Sequence, residues 1–254
     1  AVEDIVFDVF VQPPAEEAEL GRDWSRRVRA DAWDLLARLD VDGTRRATLL
    51  STLTPSNAKD DVLAAMEMAQ RELRVVPLTG GELTWLLNLR DKAKTDNAAW
   101  WAASSQAAQA YAGDARVRGL RHAEPIRWAA ANRPAWASAG KEELSSELAR
   151  RLEAREKFVR SVDVEGQRRK DDLRSNEDRL SWADLIAILT IDEAIRDPAV
   201  VASLVKQADL DRRDETTEYG GVLELVNDRP RALLYPPRPG QRQGDMQFVA
   251  SDDM

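Results

Sequence analysis

The amino-acid sequence predicts a mainly α protein, consisting of a multi-helix domain with an N-terminal strand and a small C-terminal β segment. Three patterns predict this fold class. Apolar residues recur every three or four positions along most of the chain, which is typical of amphipathic helices. Ser, Thr or Asp precedes several of these segments, where a helix N-cap is expected. Period-two patterns, which are typical of strands, occur only near the two ends of the chain.

Composition restricts the class of protein. The chain has 254 residues, a formal net charge of -8 and a pI near 5.0. Because this charge repels phosphate backbones, no nucleic-acid binding is expected. No apolar run reaches the ~20 residues that span a bilayer, so no membrane partner is expected either. The absence of cysteine excludes disulfides and thiolate chemistry. We expect a soluble protein, with a cytoplasmic location favoured over export and the oligomeric state left open.

The first predicted element is a strand at residues 4–12. β-Branched and aromatic residues alternate along this segment, with Ile5 and Phe7 on the same face, and Pro13-Pro14 ends it. This strand is the strongest candidate within the chain to pair with the C-terminal β segment.

Helices are predicted to follow, each with its own start signal. The longest apolar stripe comprises Leu20, Trp24, Val28, Leu35 and Leu39, with Trp33 and Leu36 beside it. The predicted starts are Thr44, Thr54-Pro55, Thr79 with Glu82, Ser181 with Asp184, and Asp197-Pro198. Four tryptophans on these stripes are interpreted as core residues: Trp24, Trp33, Trp85 and Trp182.

The highly charged segment at residues 141–179 carries equal numbers of acidic and basic residues. Its narrow apolar stripe, from Leu144 to Val162, predicts a solvated helix as far as Gly166. A mobile linker is expected at residues 165–178.

The period changes back to two from Thr216. Residues 221–226 and 231–235 predict two strands around Asn227-Asp228, which is a hairpin signal. Residues 246–249 are predicted to be extended, and Ser251 has the position of a helix N-cap. We therefore expect the sequence to end within a domain.

The motif Glu218-Tyr219-Gly220-Gly221-Val222-Leu223, followed by a strand, a proline-bearing loop and a polar helix start, resembles the first third of a JAB/MPN (JAMM) metallopeptidase domain. In that family a glutamate at this position is the general base for a zinc-bound water, so the resemblance assigns Glu218 as the catalytic residue. The family's later His-x-His pair, serine and aspartate have no counterparts here. The resemblance covers residues 209–254.

The resemblance divides the chain into a helical domain, residues 1–208, and the incomplete start of a JAB-like α/β domain, residues 209–254. It implies the amino-terminal portion of a metallopeptidase or isopeptidase that acts on a protein or peptide partner. Zinc is expected only in a complete domain, because a glutamate can usefully take a proton only from a metal-activated water. This chain alone is expected to bind no metal or cofactor and to be inactive. The alternative is a non-catalytic helical protein-interaction module whose C-terminal hairpin caps the fold.

Two further groups of residues, His122 with Glu124 and Trp100 with Trp101, are considered for metal binding and for an interface. His122 beside Glu124 is interpreted as a surface or helix-start residue rather than a metal ligand, because no second histidine or cysteine exists. Trp100 and Trp101 point about 100° apart on a helix. One of them is therefore expected in the core and the other at an interface or against a neighbouring helix.

Overall fold

The computed structural model is mainly α, which confirms the predicted fold class. It describes residues 2–13, 21–40, 43–51, 60–93, 98–109, 118–153, 160–164, 167–171, 173, 176–214, 219–226 and 228–235. The helices are α1 (Val2–Val11), α2 (Gly21–Leu39), α3 (Thr44–Ser51), α4 (Asp61–Met68), α5 (Gly80–Ala93), α6 (Ala98–Gln109), α7 (Ala123–Asn132), α8 (Pro134–Ser138), α9 (Lys141–Glu153), α10 (Trp182–Ala194) and α11 (Pro198–Arg213). The strands are β1 (Arg160–Val164), β2 (Gln167–Asp171), β3 (Gly220–Val226) and β4 (Arg229–Tyr235). A π-helical turn, Ala69–Leu73, extends α4, and 3-10 turns lie at Leu120–His122 and Glu177–Arg179.

Among the described residues, no helix combines the length and apolar character needed to cross a bilayer.

The chain divides into two compact units, Ala1–Ala187 (unit 1) and Ile188–Met254 (unit 2). The boundary falls within α10. Unit 1 contains α1 to α9, the β1–β2 hairpin and the start of α10, whereas unit 2 contains the rest of α10, α11 and the β3–β4 hairpin. The boundary predicted after residue 208 concerns the start of a JAB-like domain and stays a prediction.

The core of unit 1 forms where α2 packs against α1 and α5. Trp33 is fully buried there, with its ring centroid 4.7 Å from that of Phe10. Its indole Nε1 donates a hydrogen bond to the Pro77 carbonyl oxygen at 2.7 Å. Gly80 allows α5 to start close to α2, because a Cβ there would lie only 2.5 Å from the carbonyl oxygen of Ala30.

The N-terminal segment is a helix, so the strand predicted at residues 4–12 is wrong. Its buried side chains are Val6, Phe7 and Phe10, whose spacing of one and four positions is helical. Ile5 is instead 66% exposed. The β-propensity of these residues is overridden by tertiary packing, because Phe10 is buried against the Trp33 ring. This segment is therefore not the strand that was the candidate to pair with the C-terminal hairpin.

Helix α2 buries a different face from the predicted one. Leu35 and Leu39 are 44% and 43% exposed, so their assignment to the buried stripe is wrong. The inward face carries the charged Arg29 in addition to Trp33 and Leu36, and Asp40, the residue after α2, is also buried. A hydrophobicity pattern does not predict burial at Arg29 or Asp40, because both side chains are charged.

The buried charges of Arg29 in α2 and of Asp40, directly after it, are both paired. Arg29 donates to the two carboxylate oxygens of Asp60 at 2.6 Å each, and Arg46 donates from its backbone N–H to Asp40 at 2.6 Å. Burial raises the pKa of Asp60, but the hydrogen bonds from Arg29 and the α4 backbone outweigh it and hold that pKa below its ordinary value. Asp60 is also the N-cap of α4. This helix therefore begins at Asp61, whereas the predicted start at Thr54-Pro55 lies outside the described residues.

The charged segment contains a hairpin rather than one long helix and a linker. Helix α9 ends at Glu153, and β1 pairs with β2 in antiparallel register, with Val164 opposite Gln167. The helix predicted to reach Gly166 is wrong, because residues 160–164 form β1. The linker predicted at residues 165–178 contains β2 and the start of a 3-10 turn, and its mobility stays a prediction. One physical reason is the period-two spacing of the β-branched Val162 and Val164 just before Glu165-Gly166, a sequence typical of a hairpin connection.

The tryptophan predictions are partly confirmed. Trp85 is 41% exposed, because the inward face of α5 is formed by other positions, so its interpretation as a core residue is wrong. Trp101 is buried and donates to Glu72 Oε2 at 2.7 Å. Trp100 is partly exposed and hydrogen-bonds Glu124 of α7. The expected division of this adjacent pair between core and neighbouring helix is confirmed.

Three predicted helix starts are confirmed by their capping bonds. Thr79 Oγ1 accepts from the Glu82 N–H at 3.1 Å, and Asp197 accepts from the N–H of Ala199 at 2.8 Å. Ser181 and Asp184 form a reciprocal capping box at the start of α10, with bonds of 3.1 and 2.9 Å. The C-terminal hairpin is also confirmed as β3 paired with β4.

Candidate functional site

The catalytic residue that the resemblance assigns, Glu218, lies outside the described residues. The next residue, Tyr219, accepts a hydrogen bond at its carbonyl oxygen from Gln207 Nε2 of α11, at 3.0 Å. A Cβ at Gly221 would lie 2.4 Å from the Leu233 carbonyl oxygen of β4. The close approach of the two strands therefore explains the second glycine of the motif independently of any role of Glu218.

The described residues contain no cluster of metal-ligating side chains. Within these parts of the chain, no group of three or more histidine, aspartate or glutamate side chains is placed to hold a metal ion. The zinc expected for a complete JAB-like domain stays a prediction.

From the sequence, His122 is interpreted as a surface or helix-start residue. It does lie at the start of α7, but it is only 1% exposed, so the interpretation as a surface residue is wrong. Its Nδ1 accepts the Gly119 N–H at 2.9 Å, which places the ring proton on Nε2. Nε2 then donates to Asp184 Oδ1 at 3.0 Å. Both ring nitrogens are thus used inside the fold.

Ser181, His122 and Asp184 are close together without forming a catalytic triad. The Ser181 hydroxyl donates to Asp184 Oδ2 at 2.7 Å, rather than to the imidazole. The serine therefore lacks the neighbouring base that nucleophilic catalysis needs. Burial raises the pKa of Asp184, but hydrogen bonds from His122 and Ser181 outweigh this effect and hold that pKa well below its ordinary value.

Glu82 extends this polar cluster to the start of α5. Its Oε2 accepts the backbone N–H groups of Leu78 and Leu120, both at 2.8 Å. The half-exposed Arg121 guanidinium lies 3.6 Å from Glu82 Oε1 and 4.0 Å from Asp184 Oδ1. The cluster joins the starts of α5, α7 and α10, and its bonds are those of a structural network.

Unit 2 has an apolar groove of about 230 Å³ between α11 and the β3–β4 hairpin. Leu204 of α11 lies on one side and Leu223 of β3 on the other. The remaining lining residues are Ile195, Ser203, Gln207, Gly221, Val222, Ala232, Leu233 and Leu234. Among the described residues that line it, none is charged. The groove can therefore bind an apolar group but offers no acid, base or metal ligand.

The central part of the hairpin, Gly221, Val222 and Leu223 with Ala232, Leu233 and Leu234, supplies the apolar wall. Residues directly opposite in the register lie on the same face, so Leu223 with Ala232 and Gly221 with Leu234 form one apolar side. The other side carries the Glu224–Arg231 ion pair, at 2.6 Å. All residues of β3 and β4 retain some exposure, and Leu223 is 40% exposed. Helix α11 therefore covers the apolar face incompletely.

The apolar stripe of α11 was evident in the sequence, but its exposure was not. Val201, Leu204 and Val205 have the one-three-four spacing of a buried helix face, yet they are 42%, 42% and 55% exposed. The helix instead buries Val200. Periodicity can show that a face is apolar but cannot show that the fold covers it.

Comparison with known proteins identifies no relative. No protein-family model, no curated protein and no solved structure matches this chain.

Proposed function

We propose that this chain is a non-catalytic protein-interaction module whose binding surface is the apolar side of unit 2. The observation that carries the proposal is the exposure of Leu204 of α11 and Leu223 of the hairpin on the two sides of the groove, while Val201 and Val205 of α11 are exposed as well. Extended apolar surfaces on soluble proteins commonly mark sites of protein or ligand contact.

The groove is better suited to a protein segment than to a cofactor. Its volume of about 230 Å³ is below the range of about 300–1,000 Å³ that is typical of small-molecule pockets. It is comparable with the space that anchoring side chains of a peptide occupy. Its uncharged lining also disfavours phosphorylated or carboxylated metabolites, whose charge would be desolvated without a partner.

Peptide display against the 254-residue chain tests this proposal. We expect enriched peptides to bind the wild-type protein and to lose affinity about tenfold or more for Leu204→Lys, because the lysine charge would be buried by the bound peptide. Leu35→Lys is a matched control: Leu35 is also a helical leucine, 44% exposed compared with 42% for Leu204, but it lies in unit 1. Failure to enrich any peptide, or equal losses for both variants, contradicts the proposal.

The second candidate function is the amino-terminal portion of a JAB-like metallopeptidase or isopeptidase. It is favoured by the position of the β3–β4 hairpin, which begins at Gly220, directly after Glu218-Tyr219, as the resemblance requires. The incompletely covered apolar face of the hairpin also suits the first strands of a larger sheet. In this proposal Glu218 is the general base and residues encoded after Met254 supply the zinc ligands.

The sequence encoded after Met254 tests the second candidate. We expect His-x-His followed by serine and aspartate, and stoichiometric zinc in the protein expressed to the end of that reading frame. Glu218→Gln should retain the zinc and lose peptide hydrolysis, because the substitution removes a base and leaves the ligands. A reading frame without these ligands excludes this candidate and leaves the interaction module.

A further inference from the structure

The outer edge of β3 has the properties of a strand-pairing site. Among the described strands, β3 pairs with β4 alone. β4 is less suited to accept a strand, because α11 packs against it and Pro230 lacks a backbone N–H. β3 contains no proline, and each of its residues retains some exposure. Unpaired N–H and C=O groups along such an edge form a template for another strand.

The groove adjoins this edge. Gly221, Val222 and Leu223 belong to β3 and also line the groove, with Leu204 of α11 on the other side. Side chains of a strand alternate between its two faces, so a strand added to β3 directs every second side chain to the side of Leu223. Backbone pairing and side-chain insertion can therefore be satisfied by the same extended segment.

We infer that β3 binds an extended peptide strand of uncharged residues, whose alternate apolar side chains enter the groove beside Leu204 and Leu223. This inference rests on the proposed interaction function and specifies the class of its partner. The uncharged lining favours uncharged residues in the occupant. The open strand edge favours an extended segment over a helix, because only an extended backbone can pair with that edge.

The backbone of β3 is expected to provide affinity for the peptide, and the groove is expected to provide selectivity for its side chains. Backbone hydrogen bonds to β3 would hold any extended segment, whereas the groove would accept valine, leucine or isoleucine at alternate positions and reject charged residues.

Fluorescence anisotropy with defined peptides and the 254-residue chain tests this inference. The probe is a fluorescein-labelled heptapeptide of alternating threonine and valine or leucine, Thr-Val-Thr-Leu-Thr-Val-Thr, with an amidated C-terminus. We expect saturable binding that N-methylation of alternate peptide nitrogens on one edge weakens about tenfold or more, while N-methylation on the other edge has a smaller effect, because only one edge pairs with β3. A neutral, leucine-bearing helical peptide is expected to bind more weakly than the strand.

Two variants of β3 locate the binding. Leu223→Lys should weaken the strand peptide about tenfold or more, because the lysine would lie in the apolar groove. Val226→Lys is the control, since Val226 is 38% exposed compared with 40% for Leu223 but does not line the groove. Leu204→Lys on α11 repeats the test without altering the hairpin.

The outcomes distinguish this inference from the proposed function. Absence of strand-peptide binding, equal effects of the two N-methylation patterns, or equal losses for Leu223→Lys and Val226→Lys overturns the strand-addition inference. If the helical peptide binds more tightly and still depends on Leu204, the inference fails while the interaction function stands. If neither peptide binds and display enriches none, both fail.

Discussion

Both units bury some charged side chains and expose some apolar ones, but the paired charges Arg29 and Asp40 lie in unit 1 and the apolar groove lies in unit 2. In unit 1, Arg29 and Asp40 lie inside the fold because each has a close partner. In unit 2, Leu204 and Leu223 lie at the surface, on either side of a groove that the hairpin and α11 do not fill.

The difference shows two ways in which burial departs from hydrophobicity. A charge can be buried when hydrogen bonds replace the water it loses, as for Arg29 with Asp60. An apolar side chain can remain exposed when the surrounding elements do not reach across it, as for Leu223. We interpret the first pattern as part of the internal architecture and the second as a surface available to a partner. The following predictions test that division, from the largest expected effect to the smallest.

Trp33→Ala should reduce the free energy of unfolding by about 3–5 kcal/mol, because it removes a fully buried ring and leaves a cavity beside Phe10. Urea denaturation measures the change. Trp85→Ala is the control, since Trp85 is 41% exposed, and a reduction below about 1 kcal/mol is expected. Similar losses of unfolding free energy for both variants would mean that the Trp33 ring contributes no more to stability than the exposed Trp85 ring.

Asp184→Asn should reduce the free energy of unfolding by about 2 kcal/mol at pH 7, because the carboxylate accepts bonds from His122 and Ser181. The folded-state pKa of Asp184 is lowered below its ordinary value of 3.8. The carboxylate therefore stabilises the fold above about pH 3.8, and this contribution is lost as the pH falls through the folded-state pKa.

Denaturation of the wild type and Asp184→Asn between pH 7 and pH 2.5 measures this dependence. The difference between the two proteins should be largest at neutral pH and should shrink below pH 3.8. A difference that is constant over this range would show that the ionised carboxylate contributes nothing beyond the shape of the side chain.

Gly119→Ala should destabilise unit 1 by about 1–3 kcal/mol, because its Cβ would lie 2.7 Å from the Glu82 carboxylate. That carboxylate cannot easily move, since it accepts two backbone hydrogen bonds at 2.8 Å. Gly140→Ala is the matched control, because nothing lies within 4 Å of its added Cβ. Thermal unfolding of the two variants should therefore differ, and equal midpoints would argue against a close Gly119–Glu82 contact.

Leu204→Ala should change the free energy of unfolding by less than about 1 kcal/mol, because 42% of this side chain is already exposed. The same substitution at the fully buried Leu36 should cost about 2–5 kcal/mol. Denaturant titration of both variants compares the two regions directly. A large loss at Leu204 would indicate that the groove is part of a core rather than a binding surface.

Local sequence signals predicted several features well. Ser181 and Asp184 mark the start of α10, and Asn227-Asp228 lies between the two strands of the C-terminal hairpin. These features depend on hydrogen bonds between residues a few positions apart, so the information needed to predict them is local. The candidate site was harder to predict, because Leu204 and Leu223 come together only when α11 meets the hairpin.

The wrong predictions concern features that depend on contacts between residues far apart in the sequence. Residues 4–12 carry a strand-like pattern, but burial of Phe10 against Trp33 favours a helix. His122 is polar and was expected at the surface, but bonds to Gly119 and Asp184 allow its burial.

The sequence by itself determined the mainly α class, several helix starts and the C-terminal hairpin, because periodicity and capping act over one or two turns of chain. Only the tertiary structure decided which faces are covered. The burial of Arg29 depends on Asp60, 31 positions away, and the exposure of Leu204 depends on how much of the hairpin α11 covers. Burial is set by contacts between distant segments, and no local pattern contains that information.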